Sequence, residues 1–173
     1  MPKYQIDGQE IDIRLGALLL DTGILVAKID KSDSLHDRVA EYLESEAREK
    51  QLVIPVVVVI EAWGKMVGGR RFNLGLQLLE WISDPGSDIV LIPQRGEEFP
   101  RVHEAMKSQA PVDCVDLLVS RLAADLGRRC NINPCISVVT CDTRDFFRLA
   151  GQFRFDLVTI KPDTWESFQF PRN

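Results

Sequence analysis

Histidine, paired cysteine, long apolar runs and excess positive charge are all scarce in this chain, and each shortage removes a class of function. The two histidines, His36 and His103, lie far apart, and none of the four cysteines (Cys114, Cys130, Cys135 and Cys141) forms a Cys-x-x-Cys pair. A zinc site built on closely spaced soft ligands is not expected, and the thiols read as reduced and mostly buried. No apolar run approaches the roughly 18 residues that span a bilayer. The start of the chain, MPKYQIDGQE, carries no apolar signal segment, so the expectation is a cytoplasmic protein with no membrane partner. With 21 basic against 26 acidic residues the net charge is −5, which argues against tight nonspecific binding to nucleic acid. An enzyme that acts on nucleic acid is still allowed.

What the chain does have is enough apolar character, 45% over 173 residues, for one domain with a sizeable core. Residues 17–29 read ALLLDTGILVAKI, an apolar run that ends in Asp21, then Thr22 and Gly23. Such a run is the mark of a parallel strand covered on both faces. An aspartate at its carboxyl end is costly to desolvate unless it is paired, hydrogen-bonded or bound to a metal. Residues 136–147 (ISVVTCDTRDFF) repeat the design, with Asp142 at the strand end.

Taken in order, residues 4–14 read as a β-hairpin with its turn at Asp7-Gly8, and residues 18–20 as the first core strand, followed by a short helix. A charged helix is expected over 35–50, with Asp33 as a cap. Residues 52–60 (LVIPVVVVI) are nearly all β-branched and predict a second buried strand with an irregular start at Pro55. Glu61 should then open a helix over 61–67 that Gly68-Gly69 stops, with another helix over 70–82 and a third strand over 89–92. A short helix near 102–107 precedes a strongly striped helix over 112–126, which Gly127 should end. Strand 136–140, helix 144–149 and a last strand 156–160 complete the pattern. This alternation predicts a three-layer α/β/α sandwich with a mainly parallel central sheet. The whole chain forms one unit, with a core at about 17–161 and residues 1–16 as a hairpin extension.

Four carboxylates occupy special places. Asp21 and Asp142 end strands, Glu61 follows one, and Asp116 opens the best helix with Asp113 one turn earlier. Each is explained equally well as a helix cap or as a partner of the helix macrodipole when taken alone. Four together at strand ends of one sheet are harder to explain that way. Such hard oxygen ligands suit Mg²⁺ or Mn²⁺.

The segments LLLDTGILVA, VVVVIEAWGK, VDLLVSRLAADLG and VVTCDTRDF occur in the order and rough spacing of a PIN domain. The chain resembles small prokaryotic PIN-domain ribonucleases of the kind found as VapC-type toxins, from about residue 18 to residue 160. The resemblance implies that Asp21, Glu61, Asp116 and Asp142 are the catalytic and metal-holding acids. Asp142 matches the aspartate of the Thr-x-Asp motif that begins at Thr140. Thr22, Thr140, Asp113 and Asp145 are then supporting residues. The implied reaction is Mg²⁺- or Mn²⁺-dependent hydrolysis of RNA phosphodiester bonds, leaving a 5′-phosphate and a 3′-hydroxyl. The implied partners are an RNA substrate, an antitoxin protein and a second copy of the chain in a homodimer. Lys65, Arg70, Arg71, Arg144 and Arg148 are the basic residues placed to guide RNA, although ordinary solvated charge explains each equally well. Gly23, where a small polar residue is common in the family, the length of the 93–111 segment and the extra hairpin depart from the pattern. The competing class is a PIN-like scaffold without catalysis, which should have lost at least one of the four acids. A layered phosphatase is disfavoured because Asp-Thr-Gly stands where a nucleophilic Asp-x-Asp would be.

Overall fold

The four residues Ala17–Leu20 (β3) are all buried, and they lie near the middle of the main sheet. The computed structural model describes residues 3–6, 9–94, 96, 98–108, 112–130 and 136–170. Among them, β1 (Lys3–Ile6) and β2 (Gln9–Asp12) pair antiparallel as a separate two-stranded ladder. The predicted Asp7-Gly8 turn lies outside the described residues. The main sheet adds β4 (Leu52–Pro55), β5 (Ile89–Ile92), β6 (Ile136–Thr140), β7 (Asp156–Ile160) and β8 (Trp165–Phe168) to β3, in the order β5-β4-β3-β6-β7-β8. All pairs are parallel except β7–β8.

From β3 the chain steps outward to β4 and β5, then returns to the other side of β3 for β6, β7 and β8. Right-handed crossovers in the two directions put helices on opposite faces. Helices α1 (Thr22–Ile29), α2 (His36–Glu44), α3 (Val56–Gly68) and α4 (Phe72–Ser83) pack with one another. Helices α5 (Glu98–Ser108), α6 (Cys114–Cys130) and α7 (Thr143–Phe153) form the other group. The fold is the expected three-layer α/β/α sandwich with a mostly parallel six-stranded sheet. No helix among the described residues is long and apolar enough to cross a membrane.

The structure corrects several expected boundaries. The strand expected over 52–60 ends at Pro55, and residues 56–60 are the first turns of α3. Helical winding puts Val58, Ala62 and Met66 on one buried stripe, and this tertiary gain outweighs the β-propensity of the valines. Glu61 therefore projects from within a helix and does not open one. Helix α2 is shorter than 35–50, and Asp33 is not its cap residue: its Oδ1 accepts the Leu35 N–H at 2.8 Å in the preceding turn. Helix α6 continues through Gly127, which is buried inside it, and α7 runs on to Phe153. Strand β8 was not expected. It is a short, half-exposed edge, held by Trp165 against Tyr42 and by Phe168 against Phe147, with ring centroids 5.6 and 5.2 Å apart. Cys114 and Cys141 are free and half-buried, where mostly buried thiols were expected, and the side chains of Cys130 and Cys135 lie outside the described set.

The contact between α3 and α4 depends on one small residue. A Cβ on Gly75 would meet Trp63 at 2.8 Å, and Trp63 is itself wedged edge-on against Phe72. In an unhindered helix, Gly→Ala would add about 1 kcal/mol of stability. Here overpacking dominates, so Gly75→Ala should destabilise the protein by about 1–3 kcal/mol in urea unfolding. A stabilised variant would show that the indole does not lie over this glycine.

Candidate functional site

Ligand sites in open α/β sheets form where the strand order reverses, beyond the carboxyl ends of the strands. Here that crevice lies between β3 and β6, paired in parallel through Leu20 and Val139. Asp21 and Asp142 leave the sheet on either side of it. The pocket there has a volume of about 660 Å³ and is lined by Asp21, Glu61, Asp116 and Asp142, together with Thr22, Gly23, Lys65, Asp113, Cys141, Thr143, Arg144 and Asp145.

Thr140, fully buried on β6, ties the two strand-end acids together. Its hydroxyl donates to Asp21 Oδ2 at 2.8 Å and accepts the Asp142 N–H at 2.9 Å. The Asp21 backbone N–H donates to the Val139 carbonyl at 3.0 Å, which fixes the residue against β6. The other carboxylate oxygen, Oδ1, is buried without a hydrogen-bond partner. An orphaned buried acceptor of this kind carries a desolvation cost that a bound cation would relieve. Burial pushes the Asp21 carboxyl up to about 6; the Thr140 hydroxyl and the amides of Thr22 and Gly23 pull against that shift, and Glu61 adds to it.

Asp116 stands in the first turn of α6, where burial, followed by repulsion from Asp21, Asp113, Asp142 and Glu61, pushes its carboxyl up to about 7. Asp142 caps α7, with Oδ1 accepting the Asp145 N–H at 3.1 Å. Oxygens of Asp116, Asp142 and Asp145 come within 4.8 Å of one another, close enough to share an ion. Asp113 is turned to its own backbone, accepting the Val115 N–H at 2.7 Å. Glu61 is held from both sides, by the Thr22 hydroxyl at 2.5 Å and the Lys65 ammonium at 2.9 Å.

Of the basic residues expected near RNA, Lys65 and Arg144 line the pocket. Arg148 lies close behind it, 3.7 Å from Asp145. Arg70 and Arg71 are not brought there. Arg71 pairs with Asp30 at a separate pocket, and Arg70 occupies a left-handed turn with φ of 58°. Asp145, expected only as a supporting residue, is brought beside Asp116 and Asp142. Its signal was present, three residues after Asp142 and in the first turn of the same helix, where i and i+3 side chains meet. The pocket lining is rich in oxygen donors and contains no histidine: His36 Nδ1 lies 2.8 Å from the Ala27 carbonyl, and His103 sits beside Glu104. Burial, with Asp21 and Asp33 adding, pushes the Cys141 thiol up to about 12, so this lining sulfur stays protonated at neutral pH. The donor set fits Mg²⁺ or Mn²⁺.

Two measurements follow from these shifts. Acids whose values rise on folding remain protonated in the native state at pH values where the unfolded chain has ionised. Stability in the absence of metal should therefore fall as pH rises from 3.8, the ordinary value, through about 6 for Asp21 and about 7 for Asp116, and then level off. The Asp21 share is roughly 3 kcal/mol. Unfolding of the metal-free chain against the Asp21→Asn/Asp116→Asn variant should show this slope only in the wild type. Thr140→Val keeps the shape but removes the bridging hydroxyl, and should cost about 1–3 kcal/mol in urea unfolding at neutral pH. No loss would mean that the hydroxyl does not bridge the two strand ends.

No protein-family model matches the sequence, and neither does any curated protein. Among solved structures, the fold is similar to that of VapC20 from Mycobacterium tuberculosis, described as a toxin that cleaves the sarcin-ricin loop. The TM-score is 0.53 at 11% sequence identity, over 70% of this chain and 87% of that one. At that identity the likeness speaks for a common fold, the PIN-like sandwich.

Proposed function

We propose that the chain is a metal-dependent endoribonuclease that hydrolyses RNA phosphodiester bonds at the acidic pocket. The observation that carries this reading is the convergence of Asp116, Asp142 and Asp145 within 4.8 Å, in a pocket where buried Asp21 Oδ1 has no hydrogen-bond partner. Asp21, Asp116 and Asp142, with Asp145 beside them, would hold Mg²⁺ or Mn²⁺, and Glu61 completes the acidic set. When bound, the cation supplies Lewis-acid activation of a water and neutralises charge at the scissile phosphate.

The chain's own groups orient and select. Thr140 fixes the rotamer of Asp21 and the backbone of Asp142 at once, so the two strand-end carboxylates keep one relative position. Thr22 and Lys65 do the same for Glu61. Arg144, at the start of α7 on the pocket wall, is placed to meet a phosphate oxygen as the RNA backbone crosses the crevice. With no histidine in the lining, imidazole acid–base chemistry has no candidate there. The finer reading is a cytoplasmic toxin that acts as a homodimer and is silenced by an antitoxin protein covering this pocket. It rests on the family resemblance and on the likeness in fold to VapC20.

Cleavage of RNA should require Mg²⁺ or Mn²⁺ and cease in EDTA. Loss of a group that merely orients a metal ligand costs 10–100-fold, so Asp21→Asn should cost roughly 100-fold or more, with the fold retained. Thr140→Val should fall within that smaller range. Full cleavage in EDTA, or an active Asp21→Asn protein, would overturn the proposal.

A further inference from the structure

The acids of the pocket are not equivalent. Asp116, Asp142 and Asp145 approach one another, while Glu61 is engaged at both oxygens by Lys65 and Thr22. Lys65 lies one turn beyond Glu61 on α3, the i and i+4 spacing that lets the two side chains meet, and it lines the same pocket. We propose that Lys65 is a built-in cation: its ammonium stands on the Glu61 side where a second divalent ion would otherwise bind, so the pocket takes one divalent cation, at the Asp116, Asp142 and Asp145 end.

The charges favour this division. Two divalent ions in one site lie roughly 3.5–4 Å apart and need carboxylates open to both. Glu61 is the acid that a second ion would need, and an ammonium already sits 2.9 Å from it. A lysine at this position also supplies part of what a second ion gives a phosphodiesterase, a positive charge facing the phosphate. It carries no coordination demands, because an ammonium is a compact point charge on a flexible stem.

The inference rests on the metal-dependent reading of this pocket, and counting bound ions separates the two. The full chain is titrated with Mn²⁺ at about pH 8, above the raised Asp116 value, and free Mn²⁺ is read from its magnetic-resonance signal. Wild type should bind one Mn²⁺ per chain. Lys65→Met and Lys65→Gln, confirmed folded by circular dichroism, should bind two, and Lys65→Met combined with Glu61→Gln should return to one. Two ions on wild type, or one on both folded Lys65 variants, would overturn the role of Lys65 while leaving the metal-dependent reading in place. No bound Mn²⁺ on wild type would overturn both.

Discussion

Leu20 pairs with Val139 across a parallel ladder, and the Asp21 N–H donates to the Val139 carbonyl at 3.0 Å, so the two strands end side by side. The chain must leave the sheet at this point, in one direction into α1 and in the other into α7. The crevice between those departures is where the strand order reverses, and the carboxylates come together there because the ladder holds its two ends in register. A slip of one residue in this pairing would turn every β3 side chain to the opposite face and remove Asp21 from Thr140. The apolar side chains of β3, with Leu18, Leu19 and Leu20 at 0–1% exposure, hold that register.

The same placement imposes an electrostatic cost. Asp21 and Asp116 both have raised carboxyl values, first from burial and then from their acidic neighbours. A fold selected for stability alone would not gather six acids around one cavity. The local helices reduce the cost only in part: Asp142 caps α7 and Asp113 binds its own turn, while Lys65 answers Glu61. The charge that remains is on the Asp116, Asp142 and Asp145 side, where oxygen ligands without histidine favour a hard cation.

The parallel strands and the acids were legible in the sequence because each rests on a local signal. Asp21 and Asp142 each end an apolar run, and the valine and leucine stripe from residue 115 to residue 126 is periodic enough to fix α6. What could not be read depends on contacts distant in sequence. The five residues after Pro55 are strand-like in propensity, and only the burial of Val58, Ala62 and Met66 against the rest of the molecule makes them helical. Strand β8 has half-exposed residues at both ends and exists because Tyr42 and Phe147 offer Trp165 and Phe168 partners. Glu61 was found for its acidity, yet its engagement by Thr22, 39 residues earlier, is a property of the packed helices. Arg70 and Arg71 looked equivalent to Arg144 in sequence, and the turn after α3 carries them away from the pocket.

The chemistry proposed for the pocket differs from histidine-based RNA cleavage in a way that the products record. Attack by a cation-activated water leaves a 5′-phosphate and a 3′-hydroxyl, whereas attack by the neighbouring 2′-hydroxyl leaves a cyclic phosphate. The most direct measurement is end-group analysis of RNA cleaved by the purified chain in Mg²⁺, with the Asp116→Asn/Asp142→Asn variant as control. Products bearing 5′-phosphate and 3′-hydroxyl ends, absent with the variant, are the predicted result. Cyclic-phosphate ends, or the same products from the variant, would contradict the acidic pocket as the site of hydrolysis.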